Sequence, residues 1–85
     1  MNVLNLIGHI GLLIHIGKDV QGIVDNLSQK KESFPSAAEF KTLIQDAIDF
    51  LNSGVVNLPE DVKVKMIAAL SDLQAQLWPQ APAAV

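Results

Sequence analysis

The stretch GHIGLLIHIG, Gly8 to Gly17, holds two histidines, no Asp, Glu, Lys or Arg, and the triplet His-Ile-Gly twice. It reads in three ways: as a membrane span, as a metal or ligand site, or as a helix face made for close contact with another helix. Around it the apolar residues Leu6, Ile10, Leu13, Val20, Val24 and Leu27, with Gly17 in the series, step by alternating fours and threes. That is helical periodicity rather than strand alternation, and it predicts one long first helix from about Asn2 to about Lys30. Lys30 and Lys31 suit a helix C-terminus, and Pro35 disfavours helical geometry at Phe34, so KKESFPS is expected to turn the chain.

Two amphipathic helices are predicted beyond that turn. In SAAE, Ser36 is followed three residues later by Glu39, the capping arrangement that satisfies free backbone donors at a helix start. The helix it opens is expected to run to about Asn52, burying Phe40, Leu43, Ile44, Ala47, Ile48 and Leu51 while Lys41, Gln45, Asp46 and Asp49 face outward. Gly54 can take the left-handed conformation that ends a helix, and Val55, Val56 and Leu58 are expected to pack as the connection crosses the core. Pro59, Glu60 and Asp61 suit a first turn, so the last helix should start near residues 58–60 with Val62, Met66, Ala69, Leu70, Leu73 and Leu77 as its stripe. Pro79 and Pro82 prevent its continuation. The fold class expected is all-α: a three-helix unit with a long apolar N-terminal helix followed by an amphipathic helical hairpin. Residues 1–78 would form a single helical domain and residues 79–85 a Pro/Ala-rich extended tail.

On one uninterrupted helix, Gly8, Gly11, His15, Lys18, Gly22, Asp25 and Gln29 form a line about 200° from the Leu6 to Leu27 stripe, at 100° per residue. Ile7, Leu12, Ile14, Ile16 and Ile23 widen the apolar coverage, so up to Gly17 the helix is hydrophobic almost all round and must be buried on more than one side. Glycine inside a helix costs about 0.5–1 kcal/mol relative to alanine, and close approach of a second backbone is the usual return. Either the glycines accommodate bulky residues of the same chain, or they form an intermolecular face. The second reading makes Ile7, Gly8, Gly11, Ile14, His15 and Gly22 the expected interface, and a Gly11→Leu change is expected to disrupt association by overfilling it.

The membrane reading turns on length. The uncharged run from Met1 to Gly17 spans about 25 Å as a helix against a hydrocarbon core of about 30 Å. Asn5, His9 and His15 add insertion cost, and no aromatic belt or lysine cluster sets an orientation. The metal reading fails on angle, since a six-residue helical separation makes the rings of His9 and His15 diverge, so no metal ligand set is expected. Asp46 with Asp49, Glu60 with Asp61, and Asp25 read as solvated or first-turn charges. The serines lack a nucleophile context, and no phosphate-cradling or dinucleotide motif occurs. No catalytic residue and no cofactor are expected.

Composition narrows the partner. The chain has 85 residues, a net charge of -3, and six basic residues, all of them lysine, so the planar fork that reads guanine is missing and no nucleic-acid partner is expected. Cysteine is absent, which removes disulfides and thiolate chemistry together. A hydrophobic content of 49% with only Phe34, Phe40, Phe50 and Trp78 as aromatics implies an aliphatic core. A chain this short buries only about 60–65% of its unfolded surface, which makes an isolated fold marginal. The function expected is that of a non-enzymatic helical assembly or structural subunit, of a phage particle or secretion-type complex for example, forming a homo-oligomer or larger assembly through its N-terminal helix. Two alternatives are a holin-like membrane-associated protein with residues 1–17 inserted, and a small inhibitor or adaptor that binds a partner protein.

Overall fold

The computed structural model describes residues 2–55 and 57–78. It is all-α, with helices α1 (Val3–His15), α2 (Val20–Lys30), α3 (Ala37–Asn52) and α4 (Glu60–Leu77), and a single 3-10 turn at Lys31–Ser33 between α2 and α3. The expected tail, residues 79–85, lies outside the described residues.

The long first helix and the three-helix count are both corrected, because the chain reverses at Gly17. Gly17 has φ +95°, a left-handed conformation that a right-handed helix of L-residues does not pass through. Its N–H donates to the Ile14 carbonyl at 3.0 Å, and the Lys18 N–H donates to the Leu13 carbonyl at 2.9 Å. This paired closure satisfies the carbonyls of Leu13 and Ile14 in the last turn of α1. Asp19 then sits in extended backbone, and its side chain accepts from the Gly22 N–H at 2.8 Å, capping α2. The stripe stays in phase across the break, since a four-residue turn advances the pattern by about one helical turn. Periodicity alone therefore reads two antiparallel helices as one.

α2 folds back along α1, with His9 Nε2 2.8 Å from Asn26 Oδ1. At the other end of α1, the Asn2 side chain accepts from the Asn5 N–H at 2.8 Å. α3 and α4 form a second antiparallel hairpin, across which Gln74 Nε2 donates to Gln45 Oε1 at 2.8 Å. Ser36 caps α3 by accepting from the Glu39 N–H at 3.1 Å, and Pro59 precedes α4 as expected. The two hairpins stack. Phe40 lies 4.8 Å from Phe34 and 5.9 Å from Trp78, measured between ring centroids, which ties the ends of α2 and α4 to the start of α3.

The core is aliphatic, as expected, and no polar residue among those described is buried in it. Leu6, Ile10, Ile23, Val24 and Leu27 from the first hairpin meet Phe40, Ile44, Leu51, Met66, Leu70 and Leu73 from the second, all essentially inaccessible to water. The expected stripes of α3 and α4 are buried, apart from Val62 and Leu77, which are half-buried at its edge. The connection between these helices is a correction. Val55 is 73% exposed rather than packed, because Gly54 at φ +78° ends α3 and turns the chain outward, while Leu58 returns to the core edge. Val56 lies outside the described residues.

Candidate functional site: the outward face of the first helix

Since α1 is only thirteen residues long, its two faces follow from its own residues. Leu6, Ile10 and Leu13 point inward, and at 100° per residue the opposite direction is held by Leu4, Gly8 and His15, with Leu12 beside them and Ile16 at the end. Leu4 is 64% exposed, Leu12 57% and Ile16 62%. Gly8, His15 and Asn5 are exposed among them. The face carries no carboxylate and no lysine. Such a surface costs free energy in water in proportion to its apolar area, and a contiguous patch of this kind on a small protein marks a contact site.

Of the residues expected at an interface, Gly8 and His15 come together on this face of α1, while Gly11 is half-buried at its edge, toward α4. Ile7 and Ile14 do not join them, since Ile7 is buried and Ile14 is half-buried against the core. Gly22 lies on α2, apart from the others, where a Cβ would meet Asp19 Oδ1 and Lys18 Cδ at 3.2 Å. Its closeness to the chain is local to the α2 cap. The line drawn through Gly8, Gly11, His15, Lys18, Gly22, Asp25 and Gln29 is thus split between two antiparallel helices and a turn.

The two glycines within α1 have different surroundings. A Cβ on Gly11 would touch Met66 Cε at 3.4 Å, so this glycine makes room for α4 inside the same molecule. A Gly11→Leu change would therefore strain the fold itself and does not isolate association. A Cβ on Gly8 would meet nothing within 4 Å. Glycine at this position weakens the helix by about 0.5–1 kcal/mol relative to alanine, and no contact within the chain returns it. Sequence reasoning passed over Leu4 and read Leu12 and Ile16 only as widening the apolar coverage, not as interface residues; the wheel restricted to residues 3–16 places all three on this face.

The histidines separate as the angle predicts. His9 turns toward α2 and Asn26, and His15 turns to solvent. Among the described residues no group of three or more His, Asp or Glu side chains is placed to hold a metal ion, and no helix is long and apolar enough to cross a membrane. A second apolar surface is an open hollow of about 610 Å³ between α2 and α4, lined by Val20, Val64 and Ala68 with Glu60, Asp61 and Lys65 around it. Compared with known proteins, the chain matches no family model, and no curated protein or solved structure is significantly similar to it.

Proposed function

We propose that this chain is a non-enzymatic helical assembly subunit that associates with its own kind through the outward face of α1. The observation that carries this reading is the uncharged row of Leu4, Gly8, Leu12 and Ile16, three of whose members are more than half exposed on a helix whose other side is already committed to the core. Burial of that row in a partner removes apolar area from water with no charge to desolvate. Lipid is a poorer occupant. Insertion of residues 1–17 would pull Leu6, Ile10 and Leu13 out of the core, and a surface-bound helix gains from a lysine-rich flank that Asn5, His9 and His15 do not supply.

Light scattering on the untagged protein from about 10 µM to about 1 mM, the range in which a weak contact populates, tests this reading. The expected result is a mass above one chain for the unaltered protein and the mass of one chain for Leu12→Asp, with unchanged helical circular dichroism. A single-chain mass throughout, or equal association of Leu12→Asp, would remove the reading. Flotation of the protein with lipid vesicles in place of self-association would turn it toward the holin-like alternative.

A further inference from the structure

We propose that α1 is an exchangeable element: the turn at Gly17 straightens so that residues 3–30 run as one helix, and two copies of the chain each dock α1 into the core of the other. The inward side of α1 makes this contact, apart from the association proposed for its outward side.

The apolar pattern permits both arrangements. Leu6, Ile10, Leu13, Val20, Val24 and Leu27, with Gly17 among them, share one stripe of an unbroken helix, spread over about 100° at 100° per residue. In the folded chain five of these side chains are buried and Val20 packs against them. The same residues therefore face a core whether the chain reverses at Gly17 or runs straight. No side chain has to leave the core for the turn to open, since Ile16, Gly17, Lys18 and Asp19 are all exposed. No proline stands in the way either, because the first in the sequence is Pro35. Both other connections hold one, Pro35 before α3 and Pro59 before α4, and a proline bars a helix from running through. Only the first turn can straighten.

The direction of the helices fits as well. α1 and α2 are antiparallel, and a two-fold axis at the hinge reverses one copy relative to the other. A straightened α1 thus enters the partner's slot running as the partner's own α1 ran. Burial of Leu6, Ile10 and Leu13, the close passage of Gly11 by Met66 and the contact between His9 and Asn26 are all reformed between copies, and the exchange closes at two chains with no slot empty. What changes is the hinge. The single chain holds Gly17 at φ +95°, with the Ile14 and Leu13 carbonyls closed by the turn and the Asp19 side chain capping α2. The straight form trades these for helical hydrogen bonds and releases Gly17 from left-handed backbone. Glycine at position 17 is what keeps α1 in its own chain, because any side chain there penalises the turn and favours the helix.

Gly17→Ala tests this in the Leu12→Asp background, where the charged outward face takes no part. Alanine shifts the balance toward the straight hinge by about tenfold per chain, and each dimer straightens two hinges, so the dimer dissociation constant should fall by about a hundredfold. After refolding from urea at about 1 mM, where weak dimers populate, light scattering should give the mass of two chains for Gly17→Ala and of one chain where Gly17 is kept. Val20→Pro is the reverse variant. Val20 opens α2 behind an Asp19 in extended backbone, a place that accepts proline, whereas proline there breaks a straight helix; added to Gly17→Ala it should restore the mass of one chain. Spin labels report the exchange itself. The chain has no cysteine, so labels at Asn5→Cys and Gln29→Cys, both exposed, are the sole ones. The contact between His9 and Asn26 sets these positions side by side across helices packed about 8–10 Å apart, while continuous helix would separate them by about 36 Å. Labelled Gly17→Ala protein, refolded with an excess of unlabelled protein, should give the long distance in its dimer. A dimer with the short distance, a dimer that persists with Val20→Pro, or a single chain for refolded Gly17→Ala would each overturn the proposal, and none of these results bears on the outward face, which Leu12→Asp has removed from the experiment.

Discussion

α1 and α3 bury the same kind of stripe and show opposite surfaces to water. Leu6, Ile10 and Leu13 of α1 and Phe40, Ile44, Ala47 and Leu51 of α3 are buried in one core. On its outer side α3 exposes Lys41, Gln45, Asp46 and Asp49, with Gln45 Nε2 donating to Asp49 Oδ1 at 3.0 Å. The outer side of α1 exposes Leu4, Gly8, Leu12 and His15 in the same positions relative to the core. Burial drives both helices to fold, so the core does not distinguish them. What the outward residues lose by remaining in water does, and only α1 gains by being covered.

The largest effect tests the shared half of that comparison. Ile10→Ala in α1 and Ile44→Ala in α3 each remove a side chain that is 0% exposed, and each is expected to lower the unfolding free energy by about 2–5 kcal/mol. Urea unfolding of the single chain at low concentration measures both. A loss below about 1 kcal/mol for Ile10→Ala alone, well under the usual cost of such a truncation, would mean that α1 is not docked as α3 is, and the contrast between their outer faces would lose its basis.

The second effect concerns the turns that end these helices. Gly17→Ala forces a Cβ into a backbone at φ +95° and should cost about 1–2 kcal/mol; Gly54→Ala, at φ +78°, should cost a similar amount. Neither glycine has an atom near the added Cβ, so the loss reports backbone strain alone. Equal stability of Gly17→Ala and the parent chain would argue that residues 3–30 do form one continuous helix.

The same turn shows how far the sequence could be read. The second hairpin was legible to within a residue or two, since Ser36 and Pro59 mark helix starts by their own chemistry and the stripes of α3 and α4 have no competing phase. The first hairpin was not, because hydrophobic periodicity records which side of a helix is buried and is blind to the direction in which the chain runs. The local signal was present in Gly17 followed by Asp19: a residue able to adopt positive φ, then a residue able to cap the next helix. It was masked by the apolar series running through Gly17 in step. Once α1 ends at His15, the interface expected from Ile7, Gly8, Gly11, Ile14, His15 and Gly22 resolves into its parts. Ile7 and Ile14 belong to the core side, Gly11 to the contact with Met66 of α4, Gly22 to a cap, and Gly8 and His15 to a face completed by Leu4 and Leu12.

The caps give the third effect, smaller and equal on the two hairpins. Asp19→Ala removes the acceptor for the Gly22 N–H, and Ser36→Ala removes that for the Glu39 N–H. Each change should cost about 1 kcal/mol, the usual value of such a cap, read as a shift in the urea midpoint without a change in slope.

The smallest effect has the opposite sign and bears most directly on the outward face of α1. Gly8→Ala adds a methyl group into open space on an exposed helix position, so the single chain should gain about 0.5–1 kcal/mol from helix propensity alone. Gly11→Ala adds the same group 3.4 Å from Met66 Cε, at the limit of ordinary van der Waals contact, and its gain should be smaller because the methionine has to shift. Measured side by side in the dilute chain, Gly8→Ala should be the more stable of the two. A fully formed helix that gains nothing from alanine at position 8 would mean that Gly8 already has a use inside the monomer, and its vacancy could not then be assigned to a second molecule.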